Sequence, residues 1–167
     1  VIIEDIDLNQ VSHNFLYKEI RELFENYSVI LFKNQKISDD THINFAKLFG
    51  KLENREAMAT NSDVEFELSL VTNQKEDKSV YDEYDIKTLD LKANMLWHTD
   101  STFLPIPALA NIITAKIIPS SGGQTELAST RVALKKLPKD LYYNIKDKKI
   151  WHNLSHSRKQ INNQLAK

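Results

Sequence analysis

Helical and strand-like patterns are segregated along this chain rather than alternating, and that order constrains the fold more than any other feature. From Phe15 to Asn26 the apolar residues Leu16, Ile20, Leu23 and Phe24 recur at helical spacing, with Lys18, Glu19, Arg21, Glu22 and Glu25 opposite, which predicts an amphipathic helix. Ser28-Val29-Ile30-Leu31-Phe32 predicts a buried strand. Ser38 is the expected N-cap of a second helix, with Asp39 and Asp40 in its first turn and Gly50 placed where a left-handed residue ends it. That helix is expected to bury Ile43, Ala46 and Phe49, and a further strand is expected over Phe66–Val71. The run Leu109 to Ile118 is closed by Pro119 and enters Ser120-Ser121-Gly122-Gly123, the pattern of a strand, a tight turn and a second strand from Gln124. Ser129 is expected to cap a helix reaching Leu137, Pro138 to begin another, and Ile150–Leu154 to form a strand. This order favours an α+β domain over a doubly wound sheet, whose βαβ units would alternate.

With 167 residues and 41% apolar content, the chain is expected to form a single domain over 1–167 with a real core. Its 22 basic and 23 acidic side chains nearly cancel, so no global field draws it to a phosphate backbone or an anionic membrane. Nucleic acid and membrane are thus excluded as expected partners. The absence of cysteine removes disulfide frameworks, thiolate metal sites and cysteine nucleophiles together. Val1 to Leu8 carry Glu4, Asp5 and Asp7 where a signal peptide would be basic and then apolar, and a cytoplasmic location is expected. The stretch from Gln74 to Lys92, charged with scattered Val80, Tyr81, Tyr84 and Ile86, reads as a loop or lid.

One short segment carries chemistry: Trp97-His98-Thr99-Asp100. Residues at i and i+2 of an extended segment point to the same side, so an imidazole and a carboxylate can meet one metal ion. Nitrogen and hard oxygen donors without thiolate suit Fe(II), Mn(II) or Zn(II). Alone, the motif is weak and reads as a surface histidine beside an acid.

Its surroundings narrow the choice. Ala93-Asn94-Met95-Leu96 leads into Trp97-His98-Thr99-Asp100-Ser101-Thr102-Phe103; Pro107-Ala108-Leu109-Ala110 follows, and then Ile118-Pro119-Ser120-Ser121-Gly122-Gly123-Gln124-Thr125-Glu126. Thr125 stands 27 residues (125 − 98) beyond His98. Read together with Glu4–Leu8, Tyr27–Gln35 and Phe45–Glu53, this chain resembles the taurine and 2,4-dichlorophenoxyacetate dioxygenase family over nearly its whole length. Ala93–Leu96 and His156-Ser157-Arg158 bring it nearer the dichlorophenoxyacetate branch.

The resemblance implies a double-stranded β-helix, or jelly roll, and an Fe(II)- and 2-oxoglutarate-dependent enzyme. Such an enzyme uses dioxygen to hydroxylate a small carboxylate- or sulfonate-bearing substrate, releasing succinate and CO2. It implies His98 and Asp100 as two ligands of a two-His, one-carboxylate triad, and Thr125 as a hydrogen-bond donor to 2-oxoglutarate. Asn94 would face the primary substrate or satisfy its own backbone, Ser101 would line the pocket, and Trp97 would pack behind the ligand segment. Arg131 would serve structure at a helix start.

The pattern departs from the family in one respect. The family's second histidine, with an arginine about ten residues after it, has no counterpart, since Arg158 follows His152 and His156 too soon. His13 and His42 are expected on the surface. The residues therefore read as the N-terminal portion of a dioxygenase domain, with a jelly roll left incomplete. Two other functions compete: a non-catalytic remnant or binding module lacking the third ligand, and a zinc hydrolase that would need a further ligand and a base. A monomer and a homo-oligomer are equally open.

Overall fold

The computed structural model describes residues 1–53 and 68–163, and the chain divides into two compact units. The first comprises Val1–Leu52 and Ile112–Lys149. It opens on β1 (Ile2–Ile3), which pairs in parallel with β2 (Leu31–Phe32) in the register Ile2 to Leu31 and Ile3 to Phe32. Gln35 prolongs this ribbon: its side-chain oxygen accepts from Leu8 N at 3.0 Å, and its amide donates to the Ile6 and Lys33 carbonyls at 2.7 and 2.8 Å. An amide side chain thus satisfies backbone groups that a longer strand would have paired.

Between the strands runs α1 (Tyr17–Tyr27), which turns Ile20 inward until only 1% of it is exposed. α2 (Asp39–Leu48) begins where expected, with Ser38 Oγ accepting from Thr41 N at 3.1 Å. Gly50 follows at φ +136°, in the region glycine favours. Leu8, Ile20 and Phe45 form the buried core, with Ile6, Val11, Leu16, Phe32 and Phe49 among the residues packed on it. Phe45 meets Phe32 and Phe49 edge-on, at centroid distances of 5.8 and 5.5 Å.

Two expectations for α2 are overturned here. The helix buries His42 and Phe45, whereas Ile43, Ala46 and Phe49 are only half-buried. His42 is not on the surface, because both of its ring nitrogens have partners on the 112–118 run: the Ile112 carbonyl at 3.1 Å and the Thr114 hydroxyl at 3.3 Å. Lys116 adds an ion pair to Asp39 at 2.6 Å, and this bond holds the Asp39 carboxyl below its ordinary pKa.

The run itself keeps a strand's alternation, with Ala110, Ile112 and Thr114 half-buried and Asn111, Ile113 and Ala115 exposed. It belongs to no described ladder; α2 holds its Ile112 carbonyl, Thr114 hydroxyl and Lys116 ammonium instead. Gly122 and Gly123 follow at φ +76° and +72°, and a Cβ at Gly123 would come 3.3 Å from the Pro119 ring, so the turn needs its glycines. α4 (Thr130–Lys136) is capped by Ser129 as expected, and α5 (Lys139–Ile145) starts after Pro138. Arg131 has the structural role expected of it, donating to the Glu25 carbonyl at 2.8 Å and to the Ser28 hydroxyl.

The second unit comprises Glu53–Asn111 and Ile150–Lys167. The loop expected over Gln74–Lys92 is a loop only in its first part, where Gln74 and Val80 bridge around an Asp77–Ser79 turn. Its second part is helical: Asp85 accepts from Lys87 N at 2.9 Å and caps α3 (Ile86–Ala93). A cap likewise replaces the strand expected at Ile150–Leu154, since Asn153 accepts from His156 N at 2.9 Å and starts α6 (Leu154–Lys159). The strand expected at Phe66–Val71 lies partly outside the described residues, and its described part, 68–71, joins no ladder. Among the described residues no helix is long and apolar enough to cross a membrane.

Candidate metal centre

In the second unit, α3 ends at Ala93, which is buried, and the chain turns through Asn94-Met95-Leu96 into the ligand segment. His98 and Asp100 converge, with Nε2 3.2 Å from Oδ1. The other ring nitrogen is engaged: Nδ1 lies 2.6 Å from the Leu96 carbonyl. A carbonyl only accepts, so Nδ1 carries a proton, and Nε2 is the ring nitrogen turned to the carboxylate. Two lone pairs so close need a cation or a proton between them. Donors about 2.1 Å from one ion and at a right angle to each other stand about 3.0 Å apart. The observed spacing fits adjacent ligands of one divalent ion.

Both side chains are half open to solvent, 45% for His98 and 46% for Asp100, which leaves the outer face of the pair accessible. Among the described residues no three or more His, Cys, Asp or Glu side chains gather into a metal-holding group. His152 and His156 are exposed.

Polar contacts hold the segment in place. Asn111 Nδ2 donates to Asp100 Oδ2 at 2.5 Å, on the carboxylate oxygen that does not face His98. Ser101 is buried, and its hydroxyl donates to Glu53 Oε2 at 2.5 Å. It adopts φ +59°, a conformation that costs a non-glycine residue on the order of 1–3 kcal/mol and persists only where its surroundings enforce it. Here that residue immediately follows a candidate ligand. Asn94 Oδ1 accepts from Arg158 Nη2 at 3.0 Å rather than from its own backbone, and Arg158 Nε also pairs with Asp90 at 3.1 Å. Trp97 does not pack behind the segment as expected: its side chain is 70% exposed, and the seat is polar instead. Thr125 is an exposed residue of the first unit, two positions after the glycine pair.

Asn111 has no place in the sequence reading of the site. Its place as an amide within the Ile- and Ala-rich run, on the outward phase of the alternation, was the available signal.

The family model described as taurine catabolism dioxygenase TauD, TfdA family matches residues 3–166. The chain belongs to this family. As a TauD/TfdA member it is 33% identical over 159 residues to the alpha-ketoglutarate-dependent 2,4-dichlorophenoxyacetate dioxygenase of Cupriavidus pinatubonensis, covering 93% of this chain and 55% of that protein. It is 30% identical over 148 residues to the (S)-phenoxypropionate/alpha-ketoglutarate-dioxygenase of Sphingobium herbicidovorans, covering 87% of this chain and 47% of the relative. The crystal structure of AAD-2 in complex with Mn(II) and N-oxalylglycine superposes with a TM-score of 0.78 at 26% identity, over 97% of this chain and 56% of that one. This TauD/TfdA chain therefore spans about half the length of the relatives it matches.

Proposed function

We propose that the intact protein is an Fe(II)- and 2-oxoglutarate-dependent dioxygenase that hydroxylates a small carboxylate-bearing molecule. The observation that carries the proposal is the 3.2 Å approach of His98 Nε2 to Asp100 Oδ1, with Nδ1 committed to a backbone carbonyl. The names of the relatives favour a carboxylate substrate over a sulfonate, and the Mn(II) and N-oxalylglycine of AAD-2 favour a divalent ion beside a dicarboxylate co-substrate. In this reading the fold is a jelly roll in a single domain.

His98 contributes a neutral imidazole lone pair and Asp100 a carboxylate oxygen, adjacent corners of a facial triad. Fe(II) bound there supplies the redox chemistry by which dioxygen converts 2-oxoglutarate to succinate and CO2, one oxygen atom entering succinate and the other the substrate C–H bond. The Leu96 carbonyl fixes the His98 tautomer and so keeps Nε2 available to a metal. Thr125, two residues after the Gly122-Gly123 turn, would offer a hydroxyl donor to a co-substrate carboxylate. Asn94 and Ser101 flank the ligand segment as substrate-side residues, Asn94 steadied by Arg158. Replacing His98 by Ala in the intact protein is expected to abolish succinate formation from 2-oxoglutarate. Succinate production at the parent rate would defeat the assignment.

A further inference from the structure

We propose that Asn111 is a positioning residue that assigns the two oxygens of Asp100, holding Oδ2 so that Oδ1 alone is presented to the ion; this rests on the metal role of His98 and Asp100 proposed above. A carboxylate on a short side chain rotates easily, and its oxygens are chemically equivalent until something distinguishes them. Here Oδ1 lies 3.2 Å from His98 Nε2, while Oδ2 accepts from Asn111 Nδ2 at 2.5 Å. Because an ionised carboxylate only accepts, the amide must present its nitrogen, which fixes the orientation of Asn111 as well. The bond is charge-assisted, the stronger class of such contacts.

The remaining surroundings restrict the same group from the backbone side. Ser101, at φ +59° and anchored to Glu53, fixes the direction in which the chain leaves Asp100. The turn is closed by Leu104 N donating to the Ser101 carbonyl at 2.9 Å. Asp100 is thus constrained through its main chain and through one oxygen. A carboxylate so held binds an ion through one oxygen only. Without Asn111 the carboxylate is free to rotate, so Oδ1 is no longer held at the ion and binding weakens, and in the bound state the second oxygen can take a position that the co-substrate or dioxygen requires.

The test measures Mn(II) binding to the intact protein, read from the loss of the free-ion electron paramagnetic resonance signal, without co-substrate or turnover. Asn111→Ala is expected to change Mn(II) affinity in the direction of weaker binding by about 10–100-fold, the range typical when an outer-shell partner of a ligand is lost. Asn111→Gln, which keeps an amide donor, is expected to recover most of that loss. Infrared spectra of the Mn(II)-loaded protein are expected to show a monodentate Asp100 carboxylate in the parent and a narrower separation of its two stretching bands in Asn111→Ala. His98→Ala is the reference and is expected to lose Mn(II) binding. If it does, while Asn111→Ala matches the parent in affinity and spectrum, the role of Asn111 is overturned and the metal pair stands. If His98→Ala binds Mn(II) as the parent does, the metal pair itself is wrong and Asn111 falls with it.

Discussion

Each of the two units has its own internal means of cohesion, and the two means differ. In the first, Leu8, Ile20 and Phe45 close a small apolar core between the two-stranded ribbon and helices α1 and α2, with aromatic rings meeting edge to face. In the second, the segment bearing His98 and Asp100 is fixed by single polar contacts: Leu96 to His98, Asn111 to Asp100, Ser101 to Glu53 and Arg158 to Asn94. Apolar packing tolerates small shifts of many atoms and resists the loss of volume. A polar tether fixes one atom and is indifferent to volume. A binding centre needs named atoms at set distances, so the second arrangement suits the ligand segment and the first suits the scaffold.

Removing an aromatic ring from the first unit should give the largest effect. Phe45→Ala is expected to cost about 3–5 kcal/mol, as deletion of a buried aromatic side chain does. Hydrogen exchange should then show loss of amide protection across α1 and α2; unchanged protection there would mean that the aromatic cluster does not hold that unit together. Arg158→Ala, in the second unit, is expected to cost about 1 kcal/mol, the upper end for surface ion pairs because the guanidinium is largely covered while Asp90 is exposed, with protection lost only near the ends of α3 and α6. A loss as large as that of Phe45→Ala would erase the distinction between the units.

The smallest effect is expected at Lys116, which lowers the Asp39 pKa through a hydrogen bond. A carboxyl with a depressed folded-state pKa contributes stability above its unfolded value, and that contribution disappears as the pH falls through the folded value. Lys116→Met should therefore lower stability slightly at neutral pH and weaken its dependence on acid. An acid unfolding curve identical to that of the parent would assign the ion pair no weight.

The same division explains what could be read in advance. Caps at Ser38 and Ser129 were legible because a hydroxyl and the amide it accepts from lie three residues apart. The glycine turn was legible because positive φ is costly to other residues. The convergence of His98 and Asp100 was legible from their spacing, and the family from motifs on both sides of them. His42 was not, since its partners on Ile112 and Thr114 are some seventy residues away, and without them a histidine belongs on the surface. The helix at Leu154–Lys159 was missed because Ile150 and Trp151 suggest a strand, while the decisive signal was Asn153 as a cap. Asn111 escaped for the reason His42 did: its hydrogen-bond partner, Asp100, is identified only once the chain has folded.

Anomalous diffraction from crystals of the intact protein grown with Mn(II) tests the central claim most directly. The account expects one manganese peak bonded to His98 Nε2 and Asp100 Oδ1, each at about 2.0–2.2 Å as for nitrogen and oxygen donors to small divalent ions. It expects His98 Nδ1 still on the Leu96 carbonyl. A manganese ion bound elsewhere, or bound to Nδ1, would contradict it.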